Sequence, residues 1–396
     1  MQLRSRVLLG WIGIFFFVAN GYAITLREAC EQAITHTELQ TVFEKQASQA
    51  KKNIDIAKAG LWPKVNLTFR SFNVGMGPAA PLTMVSDYLV FPFDLTSLDI
   101  RSQEFALEEL SWSQFFSKME LSQTIVQLYF DVDISKTICQ HLQFLISLHQ
   151  KRLKEVQSWV SIGRSKTTDA VAIQIEMGQV QANLHNQHRI LASQLKELGF
   201  WIGKTDLREE DIQKWDVPSR MVVIKDVQKW VQDRPDIHAL LSRLNMVSTQ
   251  EKSAQLLRWP ALNLGLIDFK LAAVVTYPLY DFGVLDARQR QRQDQLVELT
   301  RTIDRQKRRI TTELEVAYQN WKLYQSQEEL LKKNERLAYT FLTLVRQDYA
   351  HHLLPNLDVI YATNQWYQAN LALELGRLET MRASALFFVK KEGVLP

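Results

Sequence analysis

Trp62-Pro63-Lys64-Val65-Asn66-Leu67 and Trp259-Pro260-Ala261-Leu262-Asn263-Leu264 are two versions of one phrase, 197 residues apart. Their surroundings repeat with them. A helix-like stretch precedes each copy, over 26–59 and 236–257, and alternating apolar residues follow, ending at a Pro with an Asp close by. Those endings are Phe91-Pro92-Phe93-Asp94 and Tyr277-Pro278-Leu279-Tyr280-Asp281-Phe282-Gly283. Each half then enters a very long helical pattern. Asp169 and Asp358, 189 residues apart, follow a break in that pattern, and Ala182-Asn183-Leu184 matches Ala369-Asn370-Leu371 at an offset of 187. Offsets that drift so little across half a chain imply a duplicated unit whose hairpins differ in length. The expected organisation is a leader over 1–23, a first repeat over 24–203 (helix, hairpin, long helix, helix), a connecting equatorial segment over 204–233, and a second repeat over 234–396.

The long segments set the fold class. From Leu296, apolar residues return every seventh position through Ile303, Ile310, Ala317, Tyr324, Leu331, Ala338 and Val345, with Leu314, Trp321, Leu342 and Tyr349 in the neighbouring seam. A sustained heptad is the mark of a helix packed lengthwise against others. In the first half Leu121, Ile125, Leu128, Val132, Cys139, Leu142, Ile146, Leu153, Val156 and Val160 recur by threes, fours and sevens, which makes Cys139 a small seam residue rather than a reactive thiol. A helix over 284–349 would be about 100 Å long, more than a compact domain accommodates.

Strands are expected between the short and long helices. Val65, Leu67, Phe69 and Val74 alternate with polar residues and 87–93 could return antiparallel; the second hairpin pairs 261–267 with 271–280 across Asp268-Phe269-Lys270. Four strands are too few to close a barrel, since about eight is the smallest closed form, so a membrane barrel would have to be assembled from several copies. A spanning strand needs about 9–11 residues, and 261–267 is shorter.

Composition excludes several classes. Of 396 residues only 14 are Gly and 10 Pro, too few turn-formers for many short elements, and 46% hydrophobic residues rule out disorder. Lys+Arg 47 against Asp+Glu 43 is no footprint of a nucleic-acid binder, and two cysteines cannot build a disulfide framework or a Cys-rich zinc site. At the N-terminus Arg4 and Arg6 precede an apolar run over 7–19 and the small-x-small site Gly21-Tyr22-Ala23, the pattern of a secretory signal cleaved after Ala23; an uncleaved anchor is the alternative, against which the run is short of the ~20 residues of a spanning helix.

Taken in order, Leu26-Arg27-Glu28-Ala29, the paired Trp-Pro-x-x-Asn-Leu phrases, Arg234-Pro235-Asp236-Ile237, the 277–283 segment and Asn356-Leu357-Asp358-Val359 resemble the outer-membrane efflux protein family, the TolC-like channels of Gram-negative bacteria. The resemblance implies a mainly α fold with a small β part: a long coiled-coil α-helical barrel in the periplasm, plus four strands per protomer joining a trimeric, twelve-stranded outer-membrane barrel. It implies no enzyme activity, no cofactor and no metal. The partners it implies are two further copies, a periplasmic adaptor, an inner-membrane transporter and outer-membrane lipid. The role it implies is the exit duct of a tripartite efflux pump or type I secretion system.

Site residues follow from the same resemblance. Ile162, Gly163, Arg164 and Ser165, ahead of Asp169, are similar to the family's first tip, where adaptors dock, and Gly suits the tight reversal there. His352, Leu353 and Leu354 form the second tip. Tyr349 and Asp358 match gate positions, with Asp169 and Tyr361 beside them; three copies of Asp358 around an axis would favour cations. Asp358 reads equally as an N-cap or surface residue at a helix start. The chain departs from the family with His352 in place of Gly, Leu354 in place of a gating Arg and Tyr361 in place of a second Asp, so an aromatic constriction from Tyr349 and Tyr361 is expected to replace part of the electrostatic lock.

Other constellations are weaker. Adjacent His351 and His352 point about 100° apart on a helix and lack a spaced partner, so they read as solvated tip residues rather than metal ligands. The basic stretch from Arg288 to Arg309 could bind phosphates, or be a solvated helical face below a membrane rim. No Gly-rich phosphate loop or nucleophile elbow is present. A secreted coiled-coil scaffold that never conducts is the alternative to a channel.

Overall fold

The computed structural model describes residues 24–62, 64–68, 83–91, 94–163, 166–213, 227–267, 270–277, 279, 281–351 and 353–392. The leader over 1–23 lies outside them. The chain runs α1 (Leu26–His36), α2 (Leu39–Ala59), β1 (Lys64–Thr68), β2 (Thr83–Phe91), α3 (Asp94–Ser161) and α4 (Thr167–Ile202). After a 3-10 turn at Glu209–Asp211 come α5 (Val227–Gln232), α6 (Pro235–Leu256), β3 (Ala261–Ile267), β4 (Lys270–Thr276), α7 (Val284–Ala350) and α8 (Asn356–Glu392). Helix, hairpin, long helix and helix thus follow one another twice. With 68 and 67 residues, α3 and α7 are each about 100 Å long.

The expected helix over 26–59 is two helices. Thr25 caps α1 in a reciprocal box with Glu28, its hydroxyl accepting from the Glu28 N–H at 3.3 Å and the Glu28 carboxylate accepting from the Thr25 N–H at 3.0 Å. The Thr37 hydroxyl then donates to the Ala33 carbonyl at 2.8 Å, and Glu38 turns the chain with a left-handed φ of 50°. Polar residues that serve their own backbone interrupt a helix that apolar periodicity alone would continue.

All four strands form one antiparallel sheet in the order β1-β2-β3-β4, with β1 and β4 at its edges. The central pairing joins the two halves of the chain, running from Val85↔Ile267 to Leu89↔Asn263 and shifting by one at Phe91↔Leu262. β4 ends at Thr276, short of the expected 280, and β2 occupies 83–91 rather than 87–93. The reason at β4 is the helix that follows. Asp281 accepts from the N–H groups of Gly283 (3.1 Å) and Leu285 (2.8 Å) and so starts α7, while Phe282 and Gly283 sit left-handed at φ 56° and 83°.

The largest core lies where the N-terminus crosses the helices. Leu26, Ala29 and Ala33 of α1 pack on Ile125, Tyr129 and Phe130 of α3, Leu198 of α4, and Ala385 and Val389 of α8. Ile24 pairs with Ile212 in a parallel bridge, and the buried Tyr129 hydroxyl donates to the carbonyls of Ile24 (2.9 Å) and Gln213. A second anchor opens α6. Pro235 occupies a first-turn position, where its missing N–H costs nothing, and the buried Arg234 guanidinium grips the buried Asp236 carboxylate at 3.0 and 3.3 Å. Asp236 also accepts from Gln306 of α7 at 3.1 Å, and Arg234 donates to the Lys390 carbonyl of α8 at 3.5 Å. Three helices are therefore held at one level. The heptad residues Ile303, Ile310, Leu314, Trp321, Leu342 and Val345 are buried as their spacing demands, and so is Cys139.

Candidate functional site at the helical tip

α3 meets α4, and α7 meets α8, at the end of the bundle away from the sheet. In the first turn Ile162 is exposed and Gly163 has φ 74° with open space around it, its N–H donating to the Val160 carbonyl at 3.0 Å. Reversal there needs the left-handed conformation that glycine adopts freely. Arg164 and Ser165 lie outside the described residues. Asp169 closes the first turn of α4, accepting from the Lys166 N–H at 3.4 Å.

In the second turn His351 is exposed and His352 lies outside the described residues. Leu353 is exposed, its N–H donating to the Asp348 carbonyl at 2.9 Å, whereas Leu354 turns inward onto the cluster of Leu342, Val345, Val359 and Ala362. Asp358 sits in the first turn of α8, half-buried, its N–H donating to the Pro355 carbonyl at 3.2 Å; Tyr361 follows, exposed. Both the helix-start and the gate readings of Asp358 fit that place.

A cavity of about 810 Å³ opens between the four helix ends. It brings together Tyr349, Asp169 and Leu354 of the expected residues, and leaves Asp358, Tyr361, Ile162, Gly163 and Leu353 outside its lining. Its centre is a cluster that sequence reasoning missed. The Arg152 guanidinium lies 4.5 Å from the Tyr349 ring centre and 5.3 Å from that of Trp159, the two rings are 5.4 Å apart, and Arg152 pairs with Glu155 at 2.9 Å. Burial lifts the Tyr349 hydroxyl above its ordinary range, the Arg152 charge opposing, so the phenol stays neutral. Tyr349 is thus engaged within its own protomer rather than paired with Tyr361. Sequence held one signal for this, since Arg152 and Trp159 are seven residues apart beside the seam of Leu153, Val156 and Val160.

His149 also faces the cavity. It is buried, its Nε2 has no hydrogen-bond partner among the described residues, and burial pushes the imidazole below its ordinary value, with Glu176 opposing. Lys151, Arg152, Lys166 and Arg346 outnumber Glu155 and Asp169 around it, giving the space a cationic lining. Among the described residues no three His, Cys, Asp or Glu are grouped to hold a metal ion. The arrangement can hold or release helix ends and presents a cationic lining to whatever enters the space.

Residues 227–386 match the family described as outer membrane efflux protein. No curated protein sequence matches the chain. Its fold is similar to the outer-membrane channel OprN, at 14% identity and a TM-score of 0.79 over 93% of this chain and 90% of that one. It is similar also to the outer membrane protein VceC of Vibrio cholerae (14%, TM-score 0.73, 92% and 94%) and to the open state of the MtrE outer membrane channel of Neisseria gonorrhoeae (15%, TM-score 0.73, 93% and 89%). The sequence match falls on the second half alone, while the fold likeness takes in both.

Proposed function

We propose that this chain, which carries the outer membrane efflux protein pattern over its second half and the TolC-like channel fold over nearly all its length, is the exit duct of a tripartite efflux pump or type I secretion system. It is a passive homotrimer: a twelve-stranded barrel in the outer membrane above a helical tunnel in the periplasm, after removal of 1–23. The two repeats, 24–203 and 234–396, supply equivalent halves of each protomer's share, joined through 204–233.

The observation that carries this reading is unfinished surface of two kinds. The sheet has four strands and, among the described residues, β1 and β4 each pair on one side only. Such edges and so few strands make no barrel alone. Along α7, Val316, Leu323, Leu330, Leu337 and Leu344 form a second, uncovered heptad line, each 48–64% exposed. An exposed apolar seam of about 40 Å fits a neighbouring helix of another copy. At the tip, Tyr349 and Asp169 hold the entrance with Asp358 and Tyr361 at its rim. Ile162, Gly163, Arg164, Ser165, His352, Leu353 and Leu354 form the two turns offered to a periplasmic adaptor, which couples the duct to an inner-membrane transporter. Cargo selection belongs to that transporter.

Purified protein in planar bilayers should give step conductances, and Leu330→Lys with Leu337→Lys should yield monomers in detergent and none. Absence of conductance in wild type, even after tip substitutions such as Asp358→Ala, would overturn the channel reading. The short β3 and β4 favour one rival, a scaffold that never spans the membrane. Carbonate washing separates the two, because a scaffold is released and a barrel is retained.

A further inference from the structure

Most of the positive charge around the tip cavity is unpaired. The charged residues of its lining are Lys151, Arg152, Glu155, Lys166, Asp169 and Arg346. Arg152 is taken up by Glu155 at 2.9 Å and by the rings of Tyr349 and Trp159, and Asp169 accepts from the Lys166 backbone N–H at 3.4 Å. Lys151, Lys166 and Arg346 make no ion pair among the described residues. They come from α3, the residue that opens α4, and α7, and they face one space. At about 100° per residue, Lys151, Arg152, Glu155 and Trp159 fall within about 100° on one face of α3 with His149 at its edge, and Arg346 and Tyr349 fall within about 60° on α7.

A second, independent observation points the same way. His149 borders the cavity at 2% exposure, and its Nε2 has no hydrogen-bond partner among the described residues. With the proton on Nε2 the ring is a donor that lacks an acceptor. Trp159, Leu354, Val359 and Ile360 add an apolar wall. At about 810 Å³ the space suits a drug-sized ligand, since such pockets run to about 300–1,000 Å³.

We propose that the tip cavity binds a small aromatic carboxylate, with the ring against the wall of Trp159, Leu354 and Ile360 and the carboxylate among Lys151, Lys166, Arg346 and His149, and that the bound anion holds the tip shut. Without an anion, three like charges on different helix ends repel across the gap and favour parting. A carboxylate between them reverses that sign. It loses those contacts once the helices separate, so it binds the closed arrangement more tightly and shifts the population toward it. The binding claim stands on the cavity alone, whereas the closing claim rests on the duct reading above.

Three isosteres of different charge test it: naphthoate, naphthamide and naphthylmethylammonium, each titrated by calorimetry against the full-length protein in phosphatidylcholine nanodiscs. Naphthoate should bind about tenfold more tightly than the amide, and the ammonium more weakly still. Lys166→Gln with Arg346→Gln should weaken naphthoate about tenfold, and so should His149→Phe, which keeps a ring and removes the donor. Arg301→Gln with Arg305→Gln, the same charge loss about 60 Å away along α7, should leave it within about twofold. Equal affinity for the three probes, or undiminished naphthoate binding in either cavity variant, would overturn the site. In planar bilayers, saturating naphthoate on the tip side should lower the wild-type open fraction about tenfold and leave Lys166→Gln with Arg346→Gln little changed. A wild-type open fraction that stays constant or rises would overturn the closing role. Naphthoate bound to protein that never conducts overturns the duct reading and the closing role while the site stands; conduction without binding overturns the site and leaves the duct.

Discussion

Replacing Arg152 with Ala should open the tip. The guanidinium lies over two rings, at 4.5 Å from Tyr349 and 5.3 Å from Trp159, and its side chain is only 17% exposed. A cation over an aromatic face is worth about 0.5–1 kcal/mol when exposed and about 2 when desolvated; Trp159 shares α3 with Arg152 and keeps its contact when the helices part, so the Tyr349 ring across the gap, at this burial, holds roughly 2 kcal/mol. The Glu155 carboxylate is largely solvated and adds little. Loss of roughly 2 kcal/mol moves a closed-to-open ratio by about 30-fold. Single-channel recording should therefore find Arg152→Ala open far more of the time at unchanged maximal conductance. Arg152→Lys, which keeps the charge and loses the planar stack, should fall between. Tyr349→Phe keeps the ring and should resemble wild type. An intact Arg152→Ala trimer whose open fraction stays within about twofold of wild type would refute the reasoning. If Tyr349→Phe opened as widely as Arg152→Ala, the latch would be the phenol hydroxyl and not the ring.

Three further outcomes follow from other parts of the molecule. Asp236→Ala strands the buried Arg234 charge and should cost about 3–5 kcal/mol in denaturant unfolding, whereas Arg234→Met with Asp236→Leu should recover most of that loss; equal damage from both would contradict a charge-based account. Burial holds His149 below its ordinary 6.5, so the folded chain takes up its proton at lower pH than the unfolded chain does. The stability it contributes is present above about pH 6.5 and is lost as the pH falls from there through the lowered folded value. Protection factors of the amides across 149–160, with the intrinsic pH dependence of exchange divided out, should fall from about pH 8 to about pH 5 in wild type and much less in His149→Phe. Gly163→Val, forced to a left-handed φ, should destabilise the first turn by roughly 1–2 kcal/mol and expose it to protease, while Gly163→Asn should be tolerated.

Helices were legible because their evidence is redundant. Ile303, Ile310, Leu314 and Trp321 each point to the same face, so no single exception can hide the period, and the paired Trp-Pro phrases marked both strand entries to within one or two residues. Breaks were not legible where one polar side chain decides them. Thr37 and Glu38 end α1 by local hydrogen bonding and a left-handed turn, and β4 stops at Thr276, four residues short of the expected 280 and ahead of the Asp281 cap that starts α7. At the tip, Gly163 and Tyr349 were visible as positions, one because its conformation is rare and one because it closes a heptad. Arg152, Trp159 and His149 were not, since a cation, a ring and an imidazole on a long helix mean nothing until α7 and α8 are laid against α3. Leu354 belongs to the second tip by its position, and that it packs partly inward on the cluster of Leu342 and Val359 is set by tertiary contacts that the sequence does not display.

The cluster in which Arg234 grips Asp236 and the Lys390 carbonyl while Gln306 donates to Asp236 has a mechanical consequence. It pins α6, α7 and α8 together at Gln306, and α7 runs on for 44 residues to Ala350, about 66 Å. A rod fixed at such a fulcrum magnifies rotation: a swing of about 5° there carries the far end sideways by roughly 6 Å, the width of a small molecule. On the duct reading proposed above, aperture is set by leverage, with the sheet end, about 33 Å from the fulcrum, moving only about half as far as the tip.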